Sequence, residues 1–101
     1  MSKVTVFGAG AWGSTMAQVL SDAGNEVLLW GRSENVIAEI KSSHTNSTYL
    51  GAHQLPASIT ATTDLQIAFE FSDIYVLAIP AQQLRTTLQE WKPRFKANST
   101  I

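Results

Sequence analysis

Six residues near the start of the chain, Gly8-Ala9-Gly10-Ala11-Trp12-Gly13, form the pattern G-x-G-x-x-G. Each glycine there can do what a side chain forbids. Gly8 permits a tight turn out of a strand, Gly10 lets the backbone approach a ligand closely, and Gly13 lets a helix pack hard against that strand. The unpaired N–H groups that open such a helix carry roughly half a positive charge and attract phosphate. A bare glycine pattern is common and can serve backbone geometry alone. Here it directly follows a β-favouring run and opens a helical stretch, with a second strand about fifteen residues on. That context points to a dinucleotide whose pyrophosphate lies over the loop.

The end of the second strand reads Trp30-Gly31-Arg32-Ser33, with no acid until Glu34. Sites for NAD usually carry Asp or Glu there, bonded to the adenosine ribose 2′-hydroxyl. An arginine can instead pair with a 2′-phosphate and stack on adenine, where a carboxylate would repel that phosphate. NADP is therefore favoured, with NAD retained. The plainer reading is a solvated Arg32 beside Ser33 acting as a helix cap. Trp12, inside the glycine loop, either packs or borders the cofactor. His44 and His53 lie in a polar stretch with no cysteine near, a poor basis for a metal site. Lys92 and Lys96 flank a helix end and offer no convincing general acid, so no catalytic residue is assigned within the chain.

The elements that must position these residues alternate along the sequence. Val4 to Phe7 reads as a strand ending at Gly8. From about Gly13 to Ala23, Ala17, Leu20 and Ala23 recur at helical spacing, with Gly24 just past the end. Glu26 to Trp30 is a second strand, and Ser33 caps a second helix that turns Val36, Ile37 and Ile40 inward. Residues 42–58 are polar and irregular. Ile59 to Thr62 is a short third strand. Thr63-Asp64-Leu65-Gln66 has the form of a capping box opening a helix through Phe69. Ile74 to Ile79 reads as a strand buried on both faces. Leu84, Leu88 and Trp91 mark a last helix before Pro93, with Trp91 in the core. Ser99-Thr100-Ile101 begins another strand. This order predicts an α/β fold, a Rossmann-type doubly wound parallel sheet truncated near the start of its fifth strand.

Bulk composition agrees. The 101 residues suffice for one domain, with 45% hydrophobic and 15% charged residues. A net charge of −1 supplies no basic field for a nucleic-acid backbone. With no cysteine, disulfide scaffolding and thiolate metal sites are excluded. No stretch approaches the roughly 18 apolar residues of a membrane span, and the N-terminal apolar run is too short for a signal peptide. The expected location is the cytoplasm.

Beyond these readings, the residues resemble bacterial NAD(P)-dependent glycerol-3-phosphate dehydrogenase. The resemblance rests on the glycine loop, Leu29-Trp30-Gly31-Arg32, the segment His44-x-Asn46-x-x-Tyr49-Leu50, and Leu55-Pro56 followed by Ile59-x-Ala61-Thr62-x-Asp64-Leu65. Asp73-Ile74, Ile79-Pro80-Ala81-Gln82 and Leu84-Arg85 extend it over nearly the whole chain. It implies hydride transfer between NAD(P)H and dihydroxyacetone phosphate, giving sn-glycerol 3-phosphate for phospholipid synthesis. It also implies cofactor contacts at Ala11, Trp12, Arg32, Ser33 and Tyr49, beside Gly8, Gly10 and Gly13. Ala11 stands where the family often has Ser, which removes one hydroxyl contact, and Gly51-Ala52-His53 replaces the usual Pro-Gly. The resemblance further implies that residues 1–101 are an incomplete NAD(P)-binding domain. The helical substrate domain and the catalytic lysines are expected beyond Ile101, and a homodimer is compatible with the pattern. Rival readings are another β-hydroxyacid or ketopantoate-type reductase, a stand-alone NAD(P)-sensing module that regulates a partner, and a non-functional fragment. The segment from Asn46 to Leu50 argues against the first, and the missing acid after the second strand against the second.

Overall fold

A computed structural model describes residues 2–51 and 53–94. Strands β1 (Lys3–Phe7), β2 (Glu26–Trp30), β3 (Ile59–Thr62) and β4 (Tyr75–Leu77) form one sheet in the order β3-β2-β1-β4. All three pairings are parallel, with Phe7 beside Trp30 and Leu77, and Trp30 beside Thr62. The C-terminal ends of the strands are thus level. Helices α1 (Ala11–Asp22), α2 (Glu34–Ser43), α4 (Leu65–Phe71) and α5 (Ala81–Trp91) connect or follow them, and α3 (Ser47–Leu50) is one turn in the second connection. The chain is a Rossmann-type α/β fold.

The period-two alternation of each strand divides the core between the two faces of the sheet. Val4, Val6, Val27, Leu29, Ile59 and Ala61 meet Ala17 of α1 and Val36, Ile37 and Ile40 of α2. Phe7, Leu28, Trp30 and Tyr75 point the other way, onto Ala68 and Phe69 of α4 and Trp91 of α5. On that second face Phe7 is the hub. Its ring centre lies 4.8 Å from that of Phe69, 5.0 Å from Trp91, 5.7 Å from Tyr75 and 5.9 Å from Trp30. The polar atoms carried into this layer are met locally: Tyr75 Oη donates to Phe69 O at 3.0 Å, and Thr5 Oγ1 to Ala68 O at 2.9 Å.

Four expectations need correction. The first helix starts at Ala11 rather than Gly13, because Gly10 already serves as its N-cap. The cap of α4 is Asp64 rather than Thr63. Its carboxylate accepts from the N–H groups of Gln66 and Ile67, and the helix runs two residues past Phe69. The segment 42–58 is not irregular throughout. It contains α3, an antiparallel bridge between Thr45 and Gln54, and the buried anchor Leu55. Finally, the last strand spans Tyr75–Leu77 instead of 74–79, and Tyr75 alone of its three residues is buried. Among the described residues β4 is the last strand in the sheet order, beside β1. Residues 99–101, where a fifth strand was expected to begin, lie outside the described residues.

Candidate functional site

The C-terminal ends of β1, β2 and β4 open into one cleft of about 530 Å³. It lies where the strand order reverses: the chain passes from β1 outward to β2 and β3 on one side, then crosses back to β4 on the other side of β1. Open α/β sheets leave their crevice at such a switch point. Gly8, Gly10, Ala11, Trp12, Gly13, Arg32, Ser33 and Tyr49, all singled out from sequence, line it.

The glycine loop is built by three different constraints. Gly8 leaves β1 at φ +117°, while its N–H still donates to Trp30 O at 2.8 Å. A Cβ at Gly8 would strike the Ala78 carbonyl oxygen, and one at Gly13 would strike that of Gly8. These two positions are glycine because the chain crowds itself. Gly10 is different. Its φ of −77° and ψ of −168° suit any residue, and a Cβ there would meet nothing within 4 Å. The space it keeps open is part of the cleft.

Gly10 is the N-cap of α1, without a side-chain cap and with no acid in the first turn. The N–H groups of Gly10, Ala11 and Trp12 donate to no other described residue. Orphan donors at a helix start attract anions. Arg32, exposed at the end of β2, adds a full positive charge, its guanidinium carbon 6.0 Å from the Trp30 ring centre. Trp30 is held in turn by its indole N–H, which donates to Thr63 O at 3.0 Å. The described lining contains no Asp, Glu, His or Lys, so nothing negative opposes an anionic ligand.

Ser33 caps α2, its Oγ accepting from the Val36 N–H at 3.3 Å, and it also lines the cleft. Trp12 is 67% exposed and Tyr49 53%. Exposure decides Trp12 against core packing, and the two rings border the cleft. Tyr49 is carried by α3, whose start is pinned by Glu39 of α2. The Glu39 carboxylate accepts from Thr45 Oγ1 at 2.6 Å, Ser47 Oγ at 2.9 Å and the Ser47 N–H at 3.0 Å. The side-chain bonds from Thr45 and then Ser47 hold its carboxyl below the usual glutamate range.

His44 closes α2 in the left-handed conformation at φ 57°, whereas His53 Nε2 pairs with Gln18 Oε1. Among the described residues no group of three His, Cys, Asp or Glu side chains could hold a metal ion. Lys92 lies in a short 3-10 turn (Lys92–Arg94) after α5 and away from the lining, and Lys96 is outside the described residues. No described helix is long and apolar enough to cross a membrane.

Sequence reasoning missed part of the wall. Ala78, Ile79 and Pro80, from the β4–α5 connection, and Gln83, in the first turn of α5, line the cleft because β4 lies beside β1. Gly31 lines it as well, and a Cβ there would lie 2.7 Å from the Cβ of Ala9. The signal for both was topological: the end of any strand flanking β1 belongs to the switch point. Asn46, behind the loop, gave no signal of this kind.

Fold and site together define a Rossmann-type nucleotide-binding architecture, with its glycine turn at the first β–α junction. The sequence model described as NAD-dependent glycerol-3-phosphate dehydrogenase N-terminus matches residues 3–101, and the chain belongs to that family. A glycerol-3-phosphate dehydrogenase (NAD(P)+) from Corynebacterium jeikeium is 50% identical over 92 residues, covering 91% of this chain and 28% of that protein. Its counterpart from Corynebacterium urealyticum is 44% identical over the full 101 residues, 30% of its own length. Among solved structures, glycerol-3-phosphate dehydrogenase from Coxiella burnetii superposes with a TM-score of 0.86 at 26% identity, covering 96% of this chain and 30% of that one. The Saccharomyces cerevisiae enzyme gives 0.85 at 29%, covering 96% and 31%. The chain thus spans about three-tenths of the length of these relatives.

Proposed function

We propose that the cleft holds NADPH or NADH, and that the protein as its gene encodes it is an NAD(P)-dependent glycerol-3-phosphate dehydrogenase. The observation that carries the binding reading is Gly10, a glycine that neither its φ nor its neighbours require, at the foot of a helix with orphan donors. In this reading the N–H groups of Gly10, Ala11 and Trp12 receive the pyrophosphate, with Gly8 and Gly13 shaping the turn beneath. Arg32 and Ser33 take the adenosine ribose, Arg32 favouring its 2′-phosphate and hence NADPH. Trp12 and Tyr49 flank the cofactor and keep water from it. When bound, the nicotinamide supplies or accepts a hydride. In this reading the proton donor to the developing alkoxide and the clamp on the substrate phosphate come from a part of the protein outside residues 1–101, and the described lining, without Lys, His, Asp or Glu, is in keeping with that.

Residues 1–101 then form the NAD(P)-binding part, and the relatives' greater length supports a substrate domain elsewhere in the polypeptide. The enzyme would act in the cytoplasm on dihydroxyacetone phosphate and sn-glycerol 3-phosphate. The test uses the purified gene product and follows NADPH absorbance on adding dihydroxyacetone phosphate or 2-dehydropantoate. Oxidation with dihydroxyacetone phosphate is expected. Oxidation with 2-dehydropantoate alone would move the protein to the rival reductase class.

A further inference from the structure

Asn46 is the one buried residue between Lys41 and Leu50. It occupies the N-cap position of α3, where an asparagine ordinarily caps its own helix. Here it makes no such bond, and the Ser47 N–H is taken by Glu39. The Asn46 amide reaches instead across 37 residues of sequence: Nδ2 donates to the Ala9 carbonyl oxygen at 2.8 Å. It also donates to Ser14 Oγ at 3.0 Å, and the Ser14 hydroxyl adds a bond to the same carbonyl at 3.4 Å. A carbonyl only accepts, so the amide nitrogen must face it. That orientation leaves Asn46 Oδ1 buried with no partner among the described residues. An unmet buried acceptor costs stability. A side chain serving the core alone gains nothing from such an orphan, whereas one serving the Ala9 carbonyl brings it along.

Peptide geometry says what this bond does. In a planar trans unit the C=O and N–H point in opposite directions. Drawing the Ala9 oxygen inward therefore turns the Gly10 N–H outward, into the cleft that Gly10 lines. We propose that Asn46 is a positioning residue, which sets the Ala9–Gly10 peptide so that the Gly10 N–H meets a dinucleotide pyrophosphate. The same side chain ties the glycine loop to α3 and so to Tyr49, making two walls of the cleft one unit. This rests on the reading of the cleft as a dinucleotide site.

The test is Asn46→Asp in the protein as its gene encodes it. The shape is kept, but an ionised carboxylate has no hydrogen to give and repels the Ala9 oxygen. Calorimetric titration should show NADPH and NADH both weakened roughly tenfold or more, and by the same factor, since the pyrophosphate is common to them. Compared with wild type at each pH, the loss should shrink as pH falls and the carboxyl regains an O–H to donate. The wild-type comparison cancels the contribution of Glu39, which bonds Thr45 and Ser47 on either side of Asn46. Asn46→Ala removes the donor and the orphan together, and should lose affinity for both dinucleotides without new pH dependence. It also carries the test should the Asp variant fold poorly, with urea unfolding monitored for each. Folded variants that bind like wild type would overturn the proposal, as would a loss confined to NADPH. If wild type itself binds neither dinucleotide, the dinucleotide reading fails first and this inference falls with it.

Discussion

Replacing Gly10 with valine separates the two reasons a loop can carry glycine. At this position the backbone is in an extended region open to branched residues, and the added Cβ meets no atom of the chain within 4 Å. Folding stability should therefore stay within about 1 kcal/mol of wild type, the scale on which glycine replacements act through the unfolded chain. Binding should behave otherwise. The side chain fills the approach to the loop and denies a pyrophosphate at least two charge-assisted bonds, each worth about 1.5–3 kcal/mol. The sum, about 3–6 kcal/mol, is a loss of roughly a hundred- to ten-thousandfold in dinucleotide affinity. Gly13→Ala is the counterpart, since its Cβ collides with the Gly8 carbonyl. Backbone movement there should cost on the order of 1–3 kcal/mol of stability, as overpacking does. Urea unfolding beside calorimetric titration of NADPH measures both quantities. A folded Gly10→Val protein with undiminished NADPH affinity refutes the placement of the pyrophosphate over the loop.

Two further outcomes are expected. Arg32→Ala should weaken NADPH by about 1.5–3 kcal/mol, roughly ten- to a hundredfold, and leave NADH nearly unchanged. Equal weakening of both would show that Arg32 does not read the 2′-phosphate. Glu39 is held below its ordinary range by bonds that favour its charged form, so its contribution is complete above the unfolded pKa and lost as pH falls through the folded one. Exchange of the Ser47 amide, corrected for its intrinsic rate, should thus accelerate at pH below the ordinary glutamate value of about 4.3. Glu39→Gln should abolish that transition, and its persistence in the variant would assign it to another group.

Much of the fold was legible because its signals are local. The short β-favouring runs Glu26–Trp30, nearly continuous in apolar residues, and Ile59–Thr62 matched β2 and β3 to the residue, and Ser33 announced its cap because capping needs only the three residues that follow. The glycine loop was legible for the same reason: turn, helix start and close approach are all written within six positions. Helix starts were less so. Thr63 and Asp64 are both good caps, and only the path of the chain out of β3 decided for Asp64. The short α3 was invisible because one turn has no periodicity to read, and its stability comes from Glu39, eight residues upstream.

What lay wholly beyond local pattern was who stands beside whom. The strand order β3-β2-β1-β4 brought Pro80 and Gln83 to a cleft that the glycine loop begins 70 residues earlier. The sequence by itself determined the elements, the turn chemistry and the charge at the end of β2. Only the tertiary structure decided that Gly31 makes room for Ala9, that Trp12 stands in solvent, and that Asn46 leaves its own helix to hold the Ala9 carbonyl. A dihedral preference acts on a residue through its immediate neighbours, whereas a buried hydrogen bond or a close approach exists only after distant segments have packed.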